Sequence, residues 1–236
     1  MPDTLPDTPK EKRTFRVLLP LVIMFVFGAA VRLSPLAMKI VRSLFVLTSG
    51  MIASIVLLCI FSIYWSIAAK DSKPAASSES KASRSLHVFL INAGVLLLIL
   101  AVPGLTHRFL PVSQPASRII VGLGLAIQSA GLLLAIWSRR TLGSNWSGEV
   151  RIATGHQLVR TGPYKSIRHP IYSAILAMYL GIMLVSGEVH ALIAWLMILI
   201  AYIRKMRMEE AALATAFGEE FTTWQRTSWL LLPPIY

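Results

Sequence analysis

Cysteine is almost absent from this chain: 236 residues contain one, Cys59. That excludes an intrachain disulfide and a cysteine-based metal site, and inside an apolar run the thiol reads as a small buried hydrophobe. Charge is scarce as well. Only 14% of the residues are Asp, Glu, Lys or Arg against 55% hydrophobic, and the mean hydropathy is +0.65, a balance that excludes an ordinary soluble domain. Acids are rarer than bases, 11 against 23, which leaves a net charge of +12. This excess does not mark a nucleic-acid binder, because the cations fall between apolar runs, as loop cations beside anionic lipid do, and not on one contiguous soluble face. A phosphate-cradling Gly-rich loop, a nucleophile elbow, a dinucleotide fingerprint and a solenoid-like repeat are also missing.

What remains is apolar runs and one polar island. The runs cover residues 17–31, 44–69, 88–105, 119–137, 171–185 and 191–203. A hydrocarbon layer about 30 Å thick takes about 20 apolar residues per crossing, so the length suits one helical bundle and leaves no room for a separate soluble domain. The expected fold is an all-α, polytopic integral membrane bundle of six transmembrane helices, or five if the short first or last run lies in the interface. Residues 1–14, rich in Pro, Asp, Thr and Lys without periodicity, read as a disordered tail, and 15–141 as the N-terminal transmembrane helices.

Loop charges set the expected orientation. Lys10, Lys12, Arg13 and Arg16, then Lys70, Lys73, Lys81 and Arg84, then Arg139, Arg140, Arg151, Arg160, Lys165 and Arg168, then Arg204, Lys205 and Arg207 fall on one side of a six-span chain. The positive-inside rule makes that side, with both termini, cytoplasmic.

The polar island is HQLVRTGPYKSIRHPIY, His156 to Tyr172, directly before the last apolar hairpin. Gly162-Pro163 reads as a turn, and Pro170 suits a first helical turn, where its missing N–H forfeits no bond, so that His169 sits at a helix start. Free N–H groups there favour an anion, and a helix beginning at this point would set Arg168 and Tyr172 four apart on one face to hold a small carboxylate. Beyond the hairpin, Lys205 and Glu209 stand at i and i+4, so a cation and an acid face the same region. Two histidines thirteen apart, without cysteine or acidic ligand patterning, do not make a metal site.

In order, LGSNWSGEV, the polar island, an apolar hairpin, RMEEAALATAFGEEF and a terminal LLLPPIY resemble the isoprenylcysteine carboxyl methyltransferase family, over about Leu142 to Tyr236. The resemblance implies that 142–236 is a methyltransferase-like catalytic region whose cytoplasmic pocket, built from the connecting loop and the C-terminal helix, holds S-adenosylmethionine. The cofactor residues it implies are Glu149, His156, Gln157, Leu158, Val159, Tyr164, His169, Pro170, Ile171, Tyr172 and Glu209. The acceptor-orienting arginine of the family falls on Lys205, with Arg204 or Arg207 as the neighbouring candidates. The implied acceptor is lipophilic, such as a prenylated cysteine entering from the bilayer; membrane lipids are the other partners, and neither a metal nor nucleic acid is expected.

Methyl transfer to a carboxylate requires in-line positioning and the exclusion of water, not a metal or a proton on the nucleophile. An ion pair that neutralises itself as the methyl moves is favoured by a low-dielectric site at the membrane edge. Alternative readings of the same residues are a membrane NADPH reductase of the sterol or steroid type, which shares R-H-P-x-Y, a phospholipid or thiol methyltransferase, and a noncatalytic lipid-binding membrane protein.

Overall fold

The computed structural model describes residues 49–68, 80–99, 109, 114–146 and 158–232. The expected tail, the first apolar run, and Glu149, His156 and Gln157 lie outside the described residues. Among the described residues the chain is all-helical: α1 Ser49–Ala68, α2 Lys81–Ile99, α3 Gln114–Leu142, α4 Pro170–Ser186, α5 Val189–Phe217 and α6 Glu219–Arg226. Short 3-10 turns at Gly143–Asn145 and Gly162–Lys165 flank the loop before α4. The five apolar runs that fall among the described residues therefore form helices. Those at Ser49–Ala68, Ser117–Leu142 and Val189–Phe217 are long and apolar enough to cross a membrane, whereas Ala82–Leu98 and Pro170–Ser186 are shorter apolar helices.

The chain packs in an order different from its sequence. α4 lies between α3 and α5, α2 covers the outer side of α5, and α1 leans on α3 and α4. In lipid no hydrophobic force pulls apolar helices together, so close association depends on small residues that let backbones touch. Gly124 and Gly131 of α3 face Gly181 and Ala174 of α4: a Cβ added at Gly131 would lie 2.7 Å from the Ala174 carbonyl oxygen. On the other side, Gly94 of α2 accommodates Ile198 and the Ala194 carbonyl of α5. Gln128, fully buried in α3, donates from Nε2 to the Ser54 carbonyl of α1 at 2.9 Å. Ile52, Val56, Ile60, Ile63 and Ile67 are exposed on α1 at helical spacing, as befits a lipid-facing stripe.

The hairpin that carries the site is made by one turn. Gly187 adopts φ 64°, and its N–H returns to the Met183 carbonyl at 2.9 Å, ending α4 in a left-handed cap that glycine enters without the Cβ penalty. α5 then runs back antiparallel for 29 residues, about 44 Å, some 14 Å longer than a hydrocarbon layer is thick. Its apolar residues end near Ile203, so the last turns, with both glutamates, emerge beside the start of α4.

At that same end Arg139, buried in the last turn of α3, ties three elements. Its guanidinium donates to the Gly143 carbonyl at 2.7 Å and to the last carbonyl of α1, Ala68, and it lies 4.6 Å over the Trp146 ring. A cation on the free carbonyls of a helix C-terminus also meets the negative end of the helix dipole.

Candidate active site

His169 is the N-cap of α4 and Pro170 its first residue, as the sequence predicts. Before it, Gly162 at φ 56° opens the 3-10 turn that turns Tyr164 inward. After it, α5 places Glu209 and Glu210 on either side of the imidazole: Glu209 Oε2 is 3.6 Å from Nδ1, and Glu210 Oε1 is 3.5 Å from Nε2. The second approach is a long one, an ion-pair distance beyond good hydrogen-bond length, on a buried Nε2. The Tyr172 hydroxyl donates to Glu209 Oε1 at 2.5 Å, and the Tyr172 ring stacks on His169 with centroids 5.5 Å apart. Tyr202 of α5 backs Tyr172 at 5.0 Å, and His87 of α2 meets Tyr202 edge-on at 5.5 Å. A wall of four rings thus runs from α2 to the Glu209 carboxylate.

Arg168 takes a role other than the expected one. It lies outside the helix, and its side chain, 5% exposed, does not join Tyr172 to hold an anion. Its Nε donates to Glu210 Oε1 at 2.6 Å, and its Nη1 donates to the Gln225 carbonyl at 3.0 Å and to both the carbonyl and the hydroxyl of Ser228. The physical reason is burial: a guanidinium out of water needs acceptors for its N–H donors, and the protein supplies these itself. Gln225 also donates to Glu210 Oε2 at 3.3 Å. A short parallel bridge completes the strap, with Arg168 N–H on the Trp229 carbonyl at 2.8 Å, Trp229 N–H on the Ser166 carbonyl at 2.8 Å and His169 N–H on the Leu230 carbonyl at 3.2 Å. The C-terminal segment therefore fixes the backbone on which His169 stands. Glu210→Ala leaves a buried guanidinium without its carboxylate, a loss of about 3–5 kcal/mol; it is expected to lower the melting temperature sharply, measured in detergent by tryptophan fluorescence.

A second cluster adjoins the first. Tyr164, Phe221 and Trp224 are buried together, with Leu158, Val159, Leu213, Ala214 and Phe217 packed against them. Burial holds the Tyr164 phenol well above its ordinary pKa, with the Glu209 charge adding to the effect and Arg139 opposing it, so it stays protonated across the physiological range. Arg160 and Glu220 pair at 2.6 Å, an exposed contact worth at most about 1 kcal/mol.

Of the cofactor positions expected from sequence, His169, Tyr172 and Glu209 form one constellation, and Leu158, Val159 and Tyr164 form the adjoining apolar one. Pro170 is fully buried, and Ile171 belongs to the main core with Ile175 and Leu231. Lys205 is buried one helical turn before Glu209. Arg204 turns elsewhere, donating to Ser83 Oγ of α2 at 2.7 Å and to the Ser83 carbonyl at 3.3 Å. Glu210, Gln225, Ser228 and Trp224 were not anticipated as parts of the site. The Glu209-Glu210 doublet carried the signal for the first, since two adjacent acids leaving an apolar helix both need cationic or hydrogen-bonding partners.

Residues 118–220 match the family model for phospholipid methyltransferase. The matched segment contains most of α3, the loop, the α4–α5 hairpin and both Glu209 and Glu210, and it stops short of Trp224 and Ser228. In structure the chain is similar to a eukaryotic intramembrane Ras methyltransferase, isoprenylcysteine carboxyl methyltransferase, with a TM-score of 0.52 at 17% sequence identity over 77% of this chain. The alignment spans 65% of that protein, just under two thirds of its length. No curated protein matches the chain in sequence. The likeness establishes the fold, a polytopic helical bundle, and the three helices among the described residues that are long and apolar enough to cross a membrane make the chain an integral membrane protein.

Proposed function

We propose that the protein is an S-adenosylmethionine-dependent methyltransferase acting on a lipophilic acceptor, with the carboxylate of an isoprenylcysteine as the favoured substrate and the site on the cytoplasmic face. One observation carries the reading: the loop entering the last hairpin and the segment leaving it meet at a single point, with His169 3.6 Å from Glu209. The donor set fits the cofactor. Glu209, 20% exposed, offers a carboxylate to the ammonium of the methionine moiety, the His169 imidazole beside it offers a polar contact, and the adjoining apolar cluster suits the adenine. When bound, the cofactor supplies an electrophilic methyl group on a sulfonium.

The protein's own residues do the positioning. Tyr172 and His169 fix the Glu209 carboxylate by hydrogen bond and stacking, which holds the donor end of the site in one geometry. Lys205, buried one turn nearer the membrane, orients the acceptor carboxylate as a point charge; lacking the planar fork of arginine, it holds the ground state less tightly. The ring wall of Tyr172, Tyr202 and His87 and the apolar stretches of α2 and α5 give a lipid tail a dry surface to lie against. With water excluded, the electrostatic contacts are stronger than in bulk.

Arg204 and Lys205 separate by mutation. Lys205→Met is expected to raise KM for the acceptor about tenfold or more with cofactor affinity unchanged, whereas Arg204→Met, which loses only its contact to Ser83, leaves KM within about twofold. The decisive experiment is transfer of a labelled methyl group by purified protein to farnesylated cysteine, to phosphatidylethanolamine and to a small thiol. Labelling of the first alone supports the favoured substrate, labelling of another reassigns the acceptor, and no labelling together with retention of NADPH favours the reductase.

A further inference from the structure

The α6 helix presents a buried donor that the site has not used. Trp224 is 6% exposed, and its indole Nε1–H finds no acceptor among the described residues. A buried donor left unpaired costs about 1–3 kcal/mol, which would be avoided by turning the indole edge to water or to a carbonyl. The neighbourhood is chemically specific. Trp224 lies 6.0 Å from Phe221 in an edge-on pair and shares its cluster with Tyr164, while Leu158 and Val159 pack against them. α6 is otherwise polar: Glu219, Glu220, Thr222, Thr223 and Arg226 are exposed, so its two buried rings are the exception along the helix.

Position selects the kind of ligand. The cluster rests on Leu213, Ala214 and Phe217, at least ten residues or about 15 Å past Ile203 along α5, which lies beyond the apolar stretch and outside the reach of a lipid tail in hydrocarbon. It adjoins Glu209, whose charge acts on Tyr164. A flat, largely apolar group with acceptor nitrogens or hydroxyls, attached to a charged group at Glu209, meets both conditions, since aromatic faces bind its plane and an indole N–H needs an acceptor at the edge.

We propose that Trp224 binds the adenosyl group of the methyl donor, its Nε1–H donating a hydrogen bond to an acceptor on the purine or ribose at the edge of the cluster it forms with Tyr164, Leu158 and Val159. This rests on the cofactor reading above and adds to it a residue of the C-terminal helix, outside the segment that matches the family model.

The test uses full-length protein in detergent and S-adenosylhomocysteine as probe, followed by calorimetry. Trp224→Phe keeps a ring and removes the donor. Affinity is expected to fall about tenfold, a loss of about 1.4 kcal/mol, while the melting temperature changes little; in competition, adenosine weakens in parallel and methionine does not. Unchanged affinity in a folded variant overturns the assignment and leaves the cofactor reading intact, whereas wild-type protein that fails to bind the probe overturns both. Should the variant not fold, wild-type protein is titrated with 1-deaza, 3-deaza, 7-deaza, 2′-deoxy and 3′-deoxy analogues of the probe: a tenfold loss with one of them supports the bond, and equal affinity for all five overturns it.

Discussion

Gly181→Leu is expected to destabilise the folded protein severely. At this crossing α3 and α4 touch backbone to backbone: a Cβ on Gly181 meets the Gly124 carbonyl oxygen and lies 2.8 Å from Gln128 Cβ and 3.0 Å from the Gln128 nitrogen. A side chain that meets the end of another side chain is relieved by a rotamer change, but one that meets backbone moves a helix. Overpacking in a well-packed interior costs about 1–3 kcal/mol, and here the displaced helix also carries His169 at its start, so the penalty is expected at or above the top of that range, about 3 kcal/mol or more. Gly124→Leu is expected to do the same from the facing side, where an added Cβ lies 2.7 Å from the Gly181 carbonyl oxygen. Gly122, two residues away on α3, has no atom within 4 Å of its Cβ position; Gly122→Ala is expected to be neutral or stabilising by about 1 kcal/mol through helix propensity. Melting followed by fluorescence, with the yield of monodisperse protein in detergent, distinguishes the pair. Equal behaviour of the 181 and 122 variants would show that the α3–α4 crossing does not hold the bundle.

The contrast between these glycines shows where sequence reading stops. Hydropathy marks each apolar run, because burying or immersing apolar surface is a property of the residue type, and five runs appear as helices where they were expected. Which glycine is a contact and which faces lipid is a property of the crossing, and nothing in the local pattern distinguishes Gly122 from Gly124. The lateral order has the same origin: α2 lies against α5 and not beside its chain neighbours because Gly94 admits Ile198, a relation between residues about a hundred positions apart.

The site was legible to a different depth at each position. Pro170 announces the start of α4, so the placement of His169 followed from local chemistry. Lys205 and Glu209 follow from helical spacing. Arg168 did not follow, because its fate depends on the segment at 225–228, sixty residues further on. A cation beside a helix start suggests an anion site by rule, and the rule was overridden by acceptors that only the folded chain brings there. Arg204 and Lys205 are adjacent in sequence and nearly equivalent in type, yet one turns to Ser83 of α2 and the other is buried on the face of Glu209; a helix separates neighbours by about 100°, and the packing of α2 against α5 decides which side is the site.

Glu209→Gln is expected to remove methyl transfer while leaving the bundle folded, which separates its role from that of Glu210. The two carboxylates are one residue apart but answer to different partners. Glu210 serves the buried guanidinium of Arg168 and the Gln225 amide, contacts internal to the protein. Glu209 accepts from the Tyr172 hydroxyl and faces His169, with Lys205 buried one turn before it on the same helix, and its side chain keeps 20% exposure. A carboxylate held in place by a phenol and an imidazole is arranged to receive a cation from outside. The amide keeps the shape and the bond from Tyr172 but loses the charge. Affinity for S-adenosylhomocysteine, whose ammonium would be the lost partner, is therefore expected to fall by about 2–3 kcal/mol, roughly 30- to 150-fold, as when one member of a buried charge pair is truncated. The melting temperature of the unliganded protein should stay near that of the wild type, in contrast to Glu210→Ala, and Glu209→Asp should recover part of the affinity. If Glu209→Gln binds the probe as tightly as the wild type, the carboxylate is a structural partner of Tyr172 alone, and the donor must be held elsewhere.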